Sequence, residues 1–173
     1  MPKENQFISK TLEEKIRQGI LNDKNNGFSC SEIAPKGSVL IDSGEGRCVF
    51  EREDSVIKVA KNHEGIAQNS SVFHIMDDIE ETKDNFAMPQ DGIEGIAIKQ
   101  EKVKPYHKAK GKEKTEQILQ EWEEGITPEQ QDIHEKMKET EEKDGVICGD
   151  YQNPYNWGVK NGETVLVDLG ECW

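Results

Sequence analysis

The sequence predicts an α+β chain, with an antiparallel sheet in its first half and a mostly helical second half that carries a β-hairpin. Three observations point there. Short β-branched runs separated by turn residues fill the stretch 38–60. A long polar segment, 115–143, has apolar residues at helical spacing. Asn161-Gly162 then separates two strand-like runs, and both central positions of a tight hairpin turn favour such residues.

Taken in order, Thr11-Leu12-Glu13-Glu14 has the form of a capping box, and Leu12, Ile16 and Ile20 follow at helical spacing. Asn22 to Gly27 breaks that pattern as a linker. From Ser38, an antiparallel meander is expected: Val39-Leu40-Ile41, a turn through Ser43-Gly44-Glu45-Gly46-Arg47, Cys48-Val49-Phe50, a turn at Glu53-Asp54, and Val56-Ile57-Lys58-Val59-Ala60. His63 to Ile79 has helical periodicity, and Phe86–Met88 and Ile93–Lys99 return to strand composition. The basic run Glu101 to Lys114 is expected to be a solvated linker. Helices are expected over Thr115–Glu124 and Thr127–Lys143, the second with Thr127 as N-cap and Pro128 in the first helical position.

The chain has 173 residues, with 35 acidic against 22 basic and a net charge of −13, which argues against a nucleic-acid backbone or an anionic membrane as the main partner. Such acidity also suits a protein kept soluble in high salt, and ordinary acidic proteins share it. No stretch approaches the length of an apolar membrane span, and the start MPKENQFISK lacks the apolar core of a signal peptide, so a cytoplasmic location is expected. Cys30, Cys48, Cys148 and Cys172 form no Cys-x-x-Cys pair and are expected to be reduced packing residues. His63, His74, His107 and His134 are scattered and are expected to be solvent-facing or locally bonded. Trp122, Trp157 and Trp173 are expected to pack.

The stretch Val146 to Gly170 carries the most chemistry. The turn at Asn161-Gly162 pairs Trp157-Gly158-Val159 with Thr164-Val165-Leu166, and the extended register sets Asn156 opposite Val167 and Tyr155 opposite Asp168. An amide and a carboxylate then meet at the open end of one hairpin, oxygen donors of the kind a divalent cation takes. Ideal pleating sends Asn156 and Asp168 to opposite faces, so the strand ends must twist for both to reach one ion.

Asp150, Asn156 and Asp168-Leu169-Gly170 resemble the catalytic-loop Asp, the metal-binding Asn and the Asp-Phe-Gly motif of protein kinases and the related small-molecule phosphotransferases. Ser43-Gly44-Glu45-Gly46-Arg47 resembles the glycine-rich phosphate loop of that superfamily, and it turns back into a strand instead of opening a helix as a dinucleotide-binding loop would. Val56-Ile57-Lys58 is similar to the family's Val-Ala-Ile-Lys. The resemblance implies a two-lobed kinase-like fold, with an antiparallel N-lobe sheet and a truncated, mostly helical C-lobe that holds the hairpin. Its divisions would be an N-terminal helical extension at 1–37, an N-lobe at 38–100, and a truncated C-lobe at 101–173 with the catalytic loop and the Asp-Leu-Gly motif.

The same resemblance implies ATP and Mg2+ as cofactors. Asp150 would orient or deprotonate the acceptor hydroxyl, Lys58 would hold the α- and β-phosphates, Ser43, Gly44 and Gly46 would cradle phosphate, and Asn156 and Asp168 would hold the metal. The chain departs from the family in several places. The third loop glycine is absent, the metal-site Asn is Asn156 with one extra loop residue or else Asn153, and Gly149 replaces the usual Arg. No glutamate falls in the middle turns after Lys58; Glu64 and Glu80 lie at the ends, and Asp77 is a substitute. The chain stops three residues after Gly170, so either the resemblance describes a minimal version or a protein partner supplies the missing surface. The expectation is phosphoryl transfer to a protein or small-molecule hydroxyl; the alternative is an inactive, pseudokinase-type nucleotide-binding or interaction module.

Overall fold

A computed structural model describes residues 7–22, 27–105, 120, 125, 127–149, 151, 156–167, 169 and 172–173. The chain divides into two compact units, Met1–Ser71 with Pro89–Glu101, and Val72–Met88 with Lys102–Trp173.

The first unit is built on a five-stranded antiparallel sheet in the order β1-β2-β3-β5-β4. Its strands are β1 (Val39–Ser43), β2 (Arg47–Glu51), β3 (Ser55–Ala60), β4 (Pro89–Ile93) and β5 (Ala97–Glu101). In β2, buried Cys48 and Phe50 alternate with half-buried neighbours, the period-two pattern of a strand with one face in a core. Central β3 is buried along most of its length. Edge strand β1 is exposed throughout, including Val39, Leu40 and Ile41. The expected meander and its turns are observed, and so is the α+β class.

Helix α1 (Lys10–Asn22) buries Ile16 and Ile20. These residues join Phe7, Ile8, Ile33, Cys48, Phe50, Ile57 and Val59 in one apolar cluster, so the N-terminal helix shares the core of the sheet. Its start differs from the expectation. The Ser9 hydroxyl accepts the Leu12 N–H at 3.1 Å, and the Ser9 carbonyl accepts the Glu13 N–H at 3.0 Å, so Ser9 is the cap and Thr11 lies inside the helix.

Helix α2 (His63–Asp78) follows β3 as expected. The next strand lies later than the sequence suggested: Phe86 makes only an isolated bridge to Leu166, and β4 begins at Pro89. Poor strand formers Gln90, Asp91 and Gly92 are held there by pairing with β5, a tertiary contact that overrides local preference. Glu94 (φ 28°) and Gly95 (φ 80°) turn the chain between the two strands.

In the second unit, helix α3 (Pro128–Asp144) has the predicted Thr127 cap. Thr127 Oγ1 accepts the Gln130 N–H at 3.2 Å, and Gln130 Oε1 accepts the Thr127 N–H at 2.7 Å. Gly145, at φ 72°, ends the helix in the left-handed conformation. Ile133, Met137 and Thr140 form the buried stripe of α3.

A three-stranded sheet in the order β6-β7-β8 completes the unit. Its strands are β6 (Lys104–Pro105), β7 (Trp157–Lys160) and β8 (Glu163–Leu166). Strand β6 was expected to be part of a solvated linker; it instead pairs Lys104 with Val159 and Pro105 with Gly158. The expected helix at 115–124 lies outside the described residues, apart from Gln120. No helix among the described residues is long and apolar enough to cross a membrane.

The cysteine expectation is overturned. Cys30 is bonded to Cys48 and Cys148 to Cys172, and no cysteine is free. Trp157 is 1% exposed and packs as expected, but Trp173 is 66% exposed and does not.

Candidate functional site

Within the first unit, the glycine-bearing turn and Lys58 lie on adjacent strands. Ser43 and Cys48 are the last β1–β2 pair, and the Gly44 N–H donates to the Arg47 carbonyl at 2.9 Å, which closes the turn. The Ser43 side chain is exposed, and Lys61 Nζ lies 3.4 Å from its hydroxyl. Gly46 is buried, and its carbonyl accepts the Lys61 N–H at 3.0 Å. Asn62 Nδ2 donates to the Glu45 carbonyl at 2.8 Å, so the turn is fastened to the entry of α2.

Lys58 stands between Val49 of β2 and Ile98 of β5. It is two register positions from Arg47–Ala60, roughly 7 Å along the ladder from the mouth of the turn. Arg47, Val49 and Lys58 share one face of the sheet, opposite the face that puts Ile57 and Val59 into the core. Lys58 is only 7% exposed, not the solvated strand lysine of an ordinary sheet surface.

Helix α2 reaches the same region through Asn69, which is fully buried. Its side-chain oxygen accepts from Arg47 Nη1 at 3.2 Å, and its nitrogen donates to the Gly95 carbonyl at 2.9 Å. Asn69 was not singled out in the sequence, because a polar residue in mid-helix ordinarily faces water. Glu64 is exposed, with Gln68 Nε2 3.5 Å from its carboxylate, and Asp77 and Glu80 are exposed.

Within the second unit, the hairpin has the predicted register: Lys160 pairs with Glu163, Val159 with Thr164, Gly158 with Val165 and Trp157 with Leu166. Asn161 (φ 52°) and Gly162 (φ 80°) supply the two positive φ angles of the turn. The Val167 N–H donates to the Asn156 carbonyl at 2.7 Å, so the pairing of Asn156 with Val167 also holds. Asp150, Asn153, Tyr155, Asp168 and Gly170 lie outside the described residues. Among the described residues, no group of three or more His, Cys, Asp or Glu could hold a metal ion.

Three features of this unit were not found from the sequence. The residue after Asp150, Tyr151, is tied to α3: its hydroxyl lies 3.0 Å from His134 Nδ1. The hairpin is tied to the same helix by Lys136, whose ammonium lies 3.1 Å from Asp132, 3.2 Å from Glu163 and 2.6 Å from the Thr164 carbonyl. Burial pushes the Asp132 carboxyl up, but the Thr164 hydroxyl and Lys136 outweigh it and leave the group below its ordinary range. Cys148 and Cys172 join the segments just before Asp150 and just after Asp168. An even number of cysteines was the one available signal for the disulfides.

Two open recesses are lined by none of the predicted site residues. One of about 350 Å³ lies between the start of α3 and the hairpin turn, and one of about 520 Å³ is lined by Arg52, Ser55, Gln90 and Lys99.

No family model matches this chain, and no curated protein matches it. Among the solved structures similar to it are the following two. The complex of WbdD with the kinase inhibitor LY294002 is 18% identical, with a TM-score of 0.48 over 93% of this chain and 42% of the WbdD chain. The streptomycin–ATP–APH(2″)-IIa ternary complex is 12% identical, with a TM-score of 0.47 over 97% of this chain and 72% of that one. The chain thus spans less than half the length of the WbdD chain it matches.

Proposed function

We propose that this chain is a kinase-like domain that binds ATP with Mg2+ and transfers a phosphoryl group to a hydroxyl of a protein or small molecule. The observation that carries the reading is Lys58: a lysine buried in the central strand, two register positions from a glycine-bearing hairpin turn, in a sheet of order β1-β2-β3-β5-β4 with a helix after β3. A lysine only 7% exposed in a central strand suits a charge-binding role better than a surface one.

In this reading Lys58 steadies the α- and β-phosphates, and the turn from Ser43 to Gly46 covers them. Asn156 and Asp168 supply the amide and carboxylate oxygens that suit a hard cation such as Mg2+. Bound Mg2+–ATP supplies the transferable phosphoryl group and neutralises its charge. Asp150 orients the acceptor hydroxyl and takes its proton. A cytoplasmic site of action belongs to the same proposal, and there the two disulfides must form against a reducing pool.

A second reading, an inactive module that binds nucleotide or a protein partner, is favoured by the middle of α2. Asn69 occupies that helix's buried polar position and is engaged by Arg47 and the Gly95 carbonyl, an amide where the kinase reading has a carboxylate.

Transfer of labelled phosphate from ATP, compared between the parent and Asp150→Asn, separates the two readings. The first expects transfer that falls by about a hundredfold or more in the variant. Transfer unaffected by the change removes Asp150 from its role, and nucleotide binding without transfer selects the second reading.

A further inference from the structure

We infer that the Cys148–Cys172 disulfide is a positioning element of the phosphotransfer site, so that transfer follows the state of this bond. The inference rests on the function proposed above.

The bond spans 24 positions and closes a covalent ring around every site residue assigned to the second unit. Asp150 is two residues after Cys148, Asp168 is four before Cys172, and Asn156 with the hairpin lies between. The disulfide sits on an antiparallel bridge, with the Ile147 N–H donating to the Trp173 carbonyl at 2.9 Å and the Trp173 N–H to the Ile147 carbonyl at 2.8 Å.

From this clasp, fixed points run to the chain on either side of each acid. Before Asp150 stands Cys148, 5% exposed, and after it Tyr151, held to His134 on α3. Before Asp168 stands Val167, bonded to Asn156, and after it Leu169, 1% exposed, whose carbonyl accepts the Cys172 N–H at 3.1 Å. Two of these four points depend on the disulfide: Cys148 directly, and Leu169 through Cys172. A catalytic group loses most of its advantage when displaced by about 1 Å, so release of the clasp is expected to act on turnover.

Opening the bond takes two electrons and two protons. A dithiol reductant supplies them, ending as its own disulfide and leaving thiols on Cys148 and Cys172. Lys58 and the glycine-bearing turn lie on strands outside this ring, and Asn156 and Asp168 keep their oxygens for the metal when shifted and not removed, so the KM for ATP should change less than kcat.

The test uses the full chain carrying Cys30→Ser and Cys48→Ser, in which Cys148–Cys172 is the remaining disulfide. The protein is assayed oxidised, after reduction with dithiothreitol, and after reoxidation, with free thiols counted and circular dichroism recorded each time. A fall in kcat of about tenfold or more with the fold retained, a smaller change in KM, and recovery on reoxidation are expected. Should the bond resist reduction, Cys148→Ser with Cys172→Ser in the otherwise native chain must show the same split. Unchanged kcat with both thiols free, or activity lost only together with the dichroism signal, overturns the inference while phosphotransfer stands. A parent that neither binds nor turns over ATP overturns both.

Discussion

Gly46 and Gly65 meet backbone to backbone. A β-carbon on Gly46 would stand 2.7 Å from the Gly65 nitrogen, and one on Gly65 would collide with the Gly46 carbonyl. The second glycine of the proposed phosphate turn is therefore required by the entry of α2, whatever the turn binds. Gly65→Ala should destabilise the protein by about 1–3 kcal/mol, read from urea unfolding, because rigid backbone must shift to admit a methyl group. A β-carbon on Gly44 would meet the Arg47 carbonyl oxygen at 3.9 Å, an ordinary contact, so Gly44→Ala should have a much smaller effect on stability. Equal losses in the two variants would refute this assignment.

Asp144 provides a pH test. Its carboxylate accepts the Thr82 hydroxyl at 2.6 Å, the Thr82 N–H at 2.9 Å and the Glu81 N–H at 3.1 Å. The Thr82 hydroxyl, ahead of the backbone bonds, holds its pKa below the ordinary carboxylate value. A group depressed in the folded state binds protons more readily when unfolded. Its stabilisation is therefore complete above the unfolded value, about 3.9, and is lost as pH falls through the lower folded value. Asp144→Asn should lower stability at pH 7 and flatten its decline below about pH 4, followed by denaturant unfolding across that range. A decline as steep as the parent's would exclude Asp144 as a contributor.

Lys136 clamps the hairpin to α3. Replacing it with Met keeps the aliphatic stem and removes the charge from Asp132, Glu163 and the Thr164 carbonyl. The expected loss is about 2 kcal/mol, since bonds to a largely buried ammonium exceed those of exposed pairs. A double-mutant cycle with Asp132→Asn should give a coupling of about 0.5–2 kcal/mol. Strict additivity would show that the pair does not act together.

The disulfides can be counted directly. Protein unfolded in denaturant with an alkylating reagent should show no modified cysteine unless reductant is added. Loss of Cys30–Cys48, across 18 positions, should cost about 3 kcal/mol by loop-closure entropy. Four modified cysteines without reductant would contradict both bonds.

Local signals made much of this fold legible. The hairpin register was readable because Asn161-Gly162 dictates its turn, and the register follows from the turn by counting. Helix α3 was readable from Thr127 and Pro128, and the three-strand meander from its turn residues. Features set by distant partners were not. Strand β4 has almost no strand composition of its own and exists by pairing with β5. The short β6 depends on β7, from which it is separated by more than fifty residues of chain. Four cysteines at unrevealing spacings allow three pairings, and only the fold chooses one. In the candidate site, the turn and the Lys58 strand were found from residue pattern, whereas Asn69, Tyr151 with His134, and Cys148 with Cys172 matter through contacts that no short motif encodes.

The central proposal is that Lys58 and Asp168 are each needed for nucleotide binding. Thermal melting of the parent, Lys58→Ala and Asp168→Ala, each with and without ATP and Mg2+, tests it most directly. A ligand that binds only the folded state at a hundred times its Kd adds about 2.7 kcal/mol, which for a chain of this size is several degrees in Tm. The parent should show that shift with both ATP and Mg2+ present, and each variant should lose most of it. No shift in the parent, or equal shifts in all three proteins, would contradict the claim.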